Sequence, residues 1–273
     1  MQTTPTLFLN NSAPLPLVGL GTWQLKGEEC TQVVQYALAM GYRHIDTAEF
    51  YDNHTAIRKA LAGFDREKLF LTSKFSLDQL QNESLQKVCE RALNELGTEY
   101  LDLYLLHYPD RSYNMAEAIQ QAFELIEKQR VRAVGVSNFT TRHLQDLIRK
   151  GFTPSVNQVE FHPYLNQKKL LAFCQQHSIH LMSFRSLGKG ALCADPLLKK
   201  IGDKHHKTPA QISLRWLIEQ NISVIPKATL KQHLHENLDI FNFNLDSEDK
   251  AILDNLDAGL RFCAGEWTDF SYI

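Results

Sequence analysis

The sequence predicts an α/β protein, a (β/α)₈ TIM barrel entered through an N-terminal β-hairpin and finished by a C-terminal tail. Three observations predict it. Short β-branched and apolar runs alternate with amphipathic helical patterns along nearly the whole chain. Eight such strand runs follow the hairpin. The 273 residues match the length of one such barrel. Strand–helix alternation implies parallel strands with right-handed crossovers. No GxGxxG follows the first strand, so the fingerprint of the open dinucleotide-binding sheet is absent. No linker, low-complexity stretch or composition break divides the chain, so residues 1–273 read as one domain.

The elements follow in order. Thr6 to Leu9 and Leu15 to Val18 flank the turn sequence Asn10-Asn11-Ser12 and read as the hairpin. The barrel strands are then Leu20 to Trp23, Tyr42 to Asp46, Leu69 to Lys74 and Leu101 to His107. Val131 to Val136, Val156 to Val159, His180 to Phe184 and Ser223 to Ile225 complete the eight. Between Leu80 and Leu96 the apolar residues Leu85, Val88, Ala92, Leu93 and Leu96 fall on one stripe of period 3.6, with Gly97 as the C-cap. Similar stripes run through Val33 to Met40, Ala116 to Ile126, His143 to Ile148, Leu170 to Cys174 and Ile212 to Ile218. Thr208 and Pro209 open the last of these as N-cap and N1.

Composition excludes several classes. Hydrophobic residues make up 44% of the chain, enough for a sizeable core, and the formal net charge is −2 with no long basic run. Broad attraction to nucleic acid or an acidic membrane is not expected. The first residues lack the basic and apolar regions of a secretory signal, and no uninterrupted apolar stretch is long enough to span a bilayer. Five scattered cysteines, never spaced CxxC, read as free thiols of a reducing cytoplasm, with no metal site. The adjacent His205 and His206 read as a surface pair.

In such barrels chemistry sits where strands end at the C-terminal face. The second strand ends in Asp46 with Tyr51 in its loop, the third in Lys74, the fourth in His107. Each residue alone has a structural explanation, but all four on successive strands form a chemical set. A tyrosine pKa near 10 is too high for efficient proton exchange at neutral pH. An ammonium about 4 Å away contributes about 4 kcal/mol at an effective dielectric near 20, enough to bring the phenol to about 7–8. Asp46 holds Lys74 charged, and His107 is suited to hydrogen-bond a carbonyl oxygen. No side chain supplies a hydride, so a redox reaction needs a cofactor.

At this point the sequence resembles the aldo-keto reductases nearly end to end. The strings GLGTW (Gly19 to Trp23), GYRHIDTAEFYDN (Gly41 to Asn53), YLDLYLLHYP (Tyr100 to Pro109), VGVSNF (Val134 to Phe139), NQVEFHPY (Asn157 to Tyr164) and VIPKA (Val224 to Ala228) stand in family order. The short form and ENLDIFNFNL resemble bacterial 2,5-diketogluconate-reductase-type members. The resemblance implies NADPH-dependent reduction of small carbonyl compounds, with Tyr51 as general acid tuned by Lys74 and Asp46, and His107 orienting the substrate oxygen. It places Ser137, Asn138 and Gln158 at the nicotinamide carboxamide, Phe184 against the ring, and Thr22 and Asp46 near the ribose. Arg185, Leu187, Lys227, Ala228, His233, Glu236 and Asn237 fall at further cofactor positions. Trp23, Phe50, Phe75, Tyr108 and Trp267 would line an aromatic substrate pocket, with Gly259 to Ile273 as its rim. For Trp267 a surface position is an equal alternative, and Arg261, Glu266 and Asp269 either select a polar substrate or face water.

Three positions depart from the family pattern. Arg185-Ser186-Leu187-Gly188 replaces the usual Ser-Pro-Leu-Gly, leaving Arg185 either on a phosphate or solvated. Ala228 stands where Ser is common. His233 stands where an arginine commonly grips the 2′-phosphate, and a neutral imidazole lacks the guanidinium fork. NADPH preference is therefore expected to be weaker than usual, with some NADH use. Two other classes stay open: a cofactor-binding barrel with a regulatory or structural role, and a phosphate-dependent isomerase or lyase. The intact Asp-Tyr-Lys-His set argues against the first; the lack of a Gly-rich loop after the last strands argues against the second. No obligatory protein partner is evident, and a monomer is the default.

Overall fold

The computed structural model describes residues 4–265 and 268–273. A hairpin of β1 (Thr6–Phe8) and β2 (Pro14–Pro16) precedes eight parallel strands. These are β3 (Leu20–Gly21), β4 (His44–Asp46), β5 (Phe70–Phe75), β6 (Leu103–Leu106), β7 (Val134–Ser137), β8 (Val156–Glu160), β9 (His180–Phe184) and β10 (Ser223–Val224), paired in sequential order. The sheet closes on itself where Val18 bridges Val224 and the Gly19 and Val224 amides donate across the seam. Closure needs the glycines of GLGTW. A Cβ on Gly21 would lie 2.5 Å from the Ile225 carbonyl oxygen, and one on Gly19 2.5 Å from the His44 ring.

Among the described residues ten α-helices cover the barrel: α1 (Gly27–Met40), α2 (His54–Leu61), α3 (Leu85–Leu96), α4 (Met115–Glu127), α5 (Thr141–Arg149), α6 (Lys168–Gln176), α7 (Pro196–His205), α8 (Pro209–Glu219), α9 (Lys231–Leu238) and α10 (Ser247–Asp254). The local signals act as the residues suggest. Gly97 ends α3 at φ 67°, where its lack of a Cβ removes the left-handed penalty. Thr208 and Gln211 form a reciprocal capping box behind Pro209. Helix α3 contains its whole apolar stripe but is shorter than the stretch Leu80 to Leu96, since Asp78–Gln81 forms a separate 3₁₀ turn and Ser84 caps the helix. His205 is not free on the surface: its Nε2 lies 2.6 Å from Asp249 Oδ2, joining α7 to α10.

Strand alternation sorts the core into two layers. Phe70, Leu103, Leu105, Ala133, Val156, Met182 and Ile225 cluster with the hairpin residues Leu9 and Leu15, which plug one end of the barrel. Leu71, Phe75, Tyr104, Leu106, Val134 and Val136 pack on the other side among the helices. Among the described residues no helix is long and apolar enough to cross a membrane, and no metal-ligand cluster occurs.

Candidate active site

The three strand-end residues and the loop residue Tyr51 converge. Asp46 ends β4, and parallel pairing sets β5 beside it. Lys74 Nζ lies 2.6 Å from Asp46 Oδ1, donates to the Thr47 carbonyl at 2.8 Å, and reaches the Tyr51 hydroxyl at 3.4 Å. Gln158 from β8 donates to Asp46 Oδ2 at 2.7 Å, so both carboxylate oxygens are used. Tyr51 sits on a 3₁₀ turn (Glu49–Tyr51), its ring edge-on to His107 at 5.8 Å. His107 follows β6 and stacks on Tyr108 at 4.7 Å.

The electrostatics correct one expectation. Burial, reinforced by the Asp46 carboxylate, pushes the Tyr51 hydroxyl well above its usual 10 rather than down to about 7–8. Lys74 is as close as expected, but its charge is taken up by Asp46 at 2.6 Å. Burial likewise raises Asp46 and lowers Lys74, with the pair's mutual attraction opposing both shifts. Burial, then the nearby Lys74 charge, drives His107 well below 6.5, so its ring is neutral. The site therefore offers a protonated phenol and a neutral imidazole at pH 7.

Ser137 and Asn138, at the end of β7, lie beside this set. Ser137 Oγ donates to the Gln158 carbonyl at 2.9 Å; Asn138 donates to the His107 carbonyl at 3.1 Å and to Ser137 Oγ at 3.0 Å. Asn138 Oδ1 is buried with no partner, an acceptor that suits a carboxamide N–H. Phe184 is half-buried at the end of β9, with an aromatic face available for stacking. Lys227, His233 and Lys231 are exposed around the start of α9, Ala228 is buried, Leu187 is partly buried, Glu236 accepts from Gln232, and Asn237 is buried near Tyr42.

Three expected contacts change. Phe75 is 1% exposed and packs on Tyr104 at 4.9 Å in the outer core, because it alternates with the inward-facing Lys74. Thr22 is fully buried, donating to the Asp46 carbonyl at 2.8 Å, and so braces Asp46 beneath the site surface. Asp269 neither faces water nor stands free: it accepts from Arg111 at 2.6 Å and lies 3.0 Å from His143 Nε2, anchoring the tail. Trp23 and Phe50 are exposed beside the mouth, and Arg261 covers the Phe270 ring at 3.9 Å. Trp267 and Glu266 lie outside the described residues.

Sequence reading missed Asn53 and Glu160. Asn53 ties the loop before α2 to Thr22 and Leu25 and accepts from Thr47 at 2.6 Å. Glu160, fully buried at the end of β8, accepts from the backbone amides of Phe262 at 2.7 Å and Cys263 at 2.6 Å, drawing the tail across the barrel end. Both residues stand in recognisable strings, but nothing local says what they hold.

The Aldo/keto reductase family model matches residues 17–258. The chain belongs to this family. It is 40% identical over 262 residues to an aldo-keto reductase of Mycolicibacterium vanbaalenii, covering 94% of each chain. It is 37% identical to the 9,11-endoperoxide prostaglandin H2 reductase of Trypanosoma cruzi, covering 93% of this chain and 92% of that one. The crystal structure of an aldo/keto reductase from Brucella melitensis superposes with a TM-score of 0.86 at 39% identity, over 93% of this chain and all of that one. This aldo-keto reductase is thus an NAD(P)H-dependent oxidoreductase on a (β/α)₈ barrel, of a family that acts on small carbonyl compounds.

Proposed function

We propose that this aldo-keto reductase reduces small aldehydes and ketones, dicarbonyls and keto sugars among them, with NADPH as the preferred cofactor. One observation carries the reading: Lys74 Nζ stands between Asp46 at 2.6 Å and the Tyr51 hydroxyl at 3.4 Å. Asn138 Oδ1, Ser137, Gln158 and Phe184 are suited to hold the nicotinamide, and Lys227 with His233 the 2′-phosphate. When bound, the cofactor supplies the hydride that no side chain can. The neutral His107 N–H orients the substrate oxygen. Tyr51 gives that oxygen its proton, and the phenolate left behind is stabilised by the hydrogen bond from Lys74. Asp46 keeps Lys74 charged and fixed, and Gln158 and Thr22 hold Asp46.

The relative named as a reductase supports reduction as the direction. The test is to follow NADPH absorbance with purified protein on adding aldehydes, diketones and keto sugars, with NADH in parallel. Carbonyl-dependent oxidation supports the reading. Tight NADPH binding without turnover across the panel would instead favour a cofactor-binding role without catalysis.

A further inference from the structure

Arg185 follows β9 directly and adopts φ 51°, a left-handed conformation that non-glycine residues hold only when their surroundings impose it. Its guanidinium carbon lies 5.3 Å from the Trp23 ring centroid and 5.9 Å from that of Phe184. The side chain is only 15% exposed. A guanidinium so covered ordinarily directs its five donors at carboxylates or carbonyls. Here Nη1 is buried without a hydrogen-bond partner, and the guanidinium donates to none of the described residues.

The one carboxylate nearby among the described residues does not satisfy it. Glu160 Oε2 is 3.9 Å from Arg185 Nη1, beyond hydrogen-bond reach. Glu160 is already committed, accepting from the Phe262 and Cys263 amides and lying 3.3 Å from His162 Nε2. Burial alone would raise the Glu160 carboxyl, but these hydrogen bonds outweigh it and hold it below its usual value. It stays charged and keeps Arg185 in place by its field, leaving the donors open. The Arg185 charge also works against the burial that raises Tyr51 and Tyr108, so its field extends into the reaction site.

We propose that Arg185 binds an anionic group of the substrate, making this a site for carbonyl compounds that also carry a carboxylate. The proposal rests on the reductase reading for its substrate and on the Arg185 geometry for its anion. A guanidinium would serve the cofactor's phosphates by the same chemistry. Its neighbours are Phe184, assigned to the nicotinamide, the closer mouth aromatic Trp23 and the carboxylate that holds the tail; the last two favour the substrate, and no described contact joins Arg185 to Lys227 or His233.

The test is calorimetric binding of benzoate and benzamide to the protein saturated with NADP⁺, in the native chain, Arg185→Met and Arg185→Lys. A charge-assisted hydrogen bond predicts that benzoate binds the native protein about tenfold or more tightly than benzamide. Most of that ratio is lost in Arg185→Met and part of it kept in Arg185→Lys, whose point charge lacks the fork. The kcat/KM ratio for 4-carboxybenzaldehyde over its methyl ester should fall in parallel. A ratio near one in the native protein, or one unmoved by Arg185→Met, overturns the proposal. An unmoved ratio with NADP⁺ affinity down tenfold would also overturn it and assign Arg185 to the cofactor. Arg185-dependent benzoate binding with no aldehyde reduced would leave the anion site standing and defeat only the reductase reading.

Discussion

Asp46 Oδ1 and Lys74 Nζ meet at 2.6 Å, their side chains 2% and 0% exposed. Each is further hydrogen-bonded, Asp46 by Gln158 and Lys74 to the Thr47 carbonyl. Desolvating two charges is costly, and only such saturation lets the pair's attraction offset it. Removing one partner strands the other. Lys74→Met should therefore lower unfolding stability by about 3–5 kcal/mol in urea titrations at pH 7, besides reducing turnover. A loss below about 1 kcal/mol would show that Asp46 is not held by this pair.

Tyr51→Phe deletes the proposed proton donor and little volume. Carbonyl reduction should fall by about 10²–10⁴-fold while NADPH affinity, read by fluorescence, changes little. Near-native turnover would remove Tyr51 from the mechanism.

The directions of the pKa shifts set the pH profile. A phenol raised above 10 stays protonated, and a histidine lowered well below 6.5 stays neutral, throughout pH 7–9. The kcat/KM for aldehyde reduction should accordingly be flat across that range, declining only above about 10 as Tyr51 loses its proton. A falling limb centred at 7–8 would mean that Lys74 overcomes burial in the working complex.

His233 is exposed on α9, near Lys227 in sequence. Discrimination between NADPH and NADH should stay below about a thousandfold, and His233→Arg should raise it by about tenfold through one charge-assisted contact. Parallel KM measurements with both cofactors decide this; an unchanged ratio would place the 2′-phosphate elsewhere.

The tail should loosen in acid. The Arg111 hydrogen bond first, with His143 helping, holds the Asp269 carboxyl below its usual value against the opposing effect of burial. A lowered folded-state pKa contributes stability that is fully present above the unfolded value near 4 and is lost as pH falls through the lowered one. Proteolysis of the C-terminus should thus be slow at pH 7, faster below pH 4, and already faster at pH 7 in Asp269→Asn. Equal rates for native and variant chains at pH 7 would contradict the anchor.

Short apolar runs such as Leu101 to His107 and helical stripes such as Leu85 to Leu96 are local patterns, and they made the eight strands and most helices legible. Helices α2, α7, α9 and α10 were not, being short, with few apolar residues among polar and charged ones. The strand ends also located Asp46, Lys74 and His107, because where a buried strand stops is written in its own residues.

What the linear chain could not decide was which way and how near. Phe75 and Lys74 are neighbours in sequence, yet pleat direction sends one into the outer core and the other into the site. Tyr51 was identified from its loop, but its pKa depends on burial and on how much of the Lys74 charge Asp46 absorbs. Arg185 left two readings open, and only the fold sets it beside Trp23 and a Glu160 whose oxygens the tail amides already occupy. Hydrophobic periodicity acts between residues a few positions apart, so sequence alone determined the barrel. Charge, solvation and hydrogen-bond saturation act between residues brought together from distant strands, and these only the tertiary structure decided.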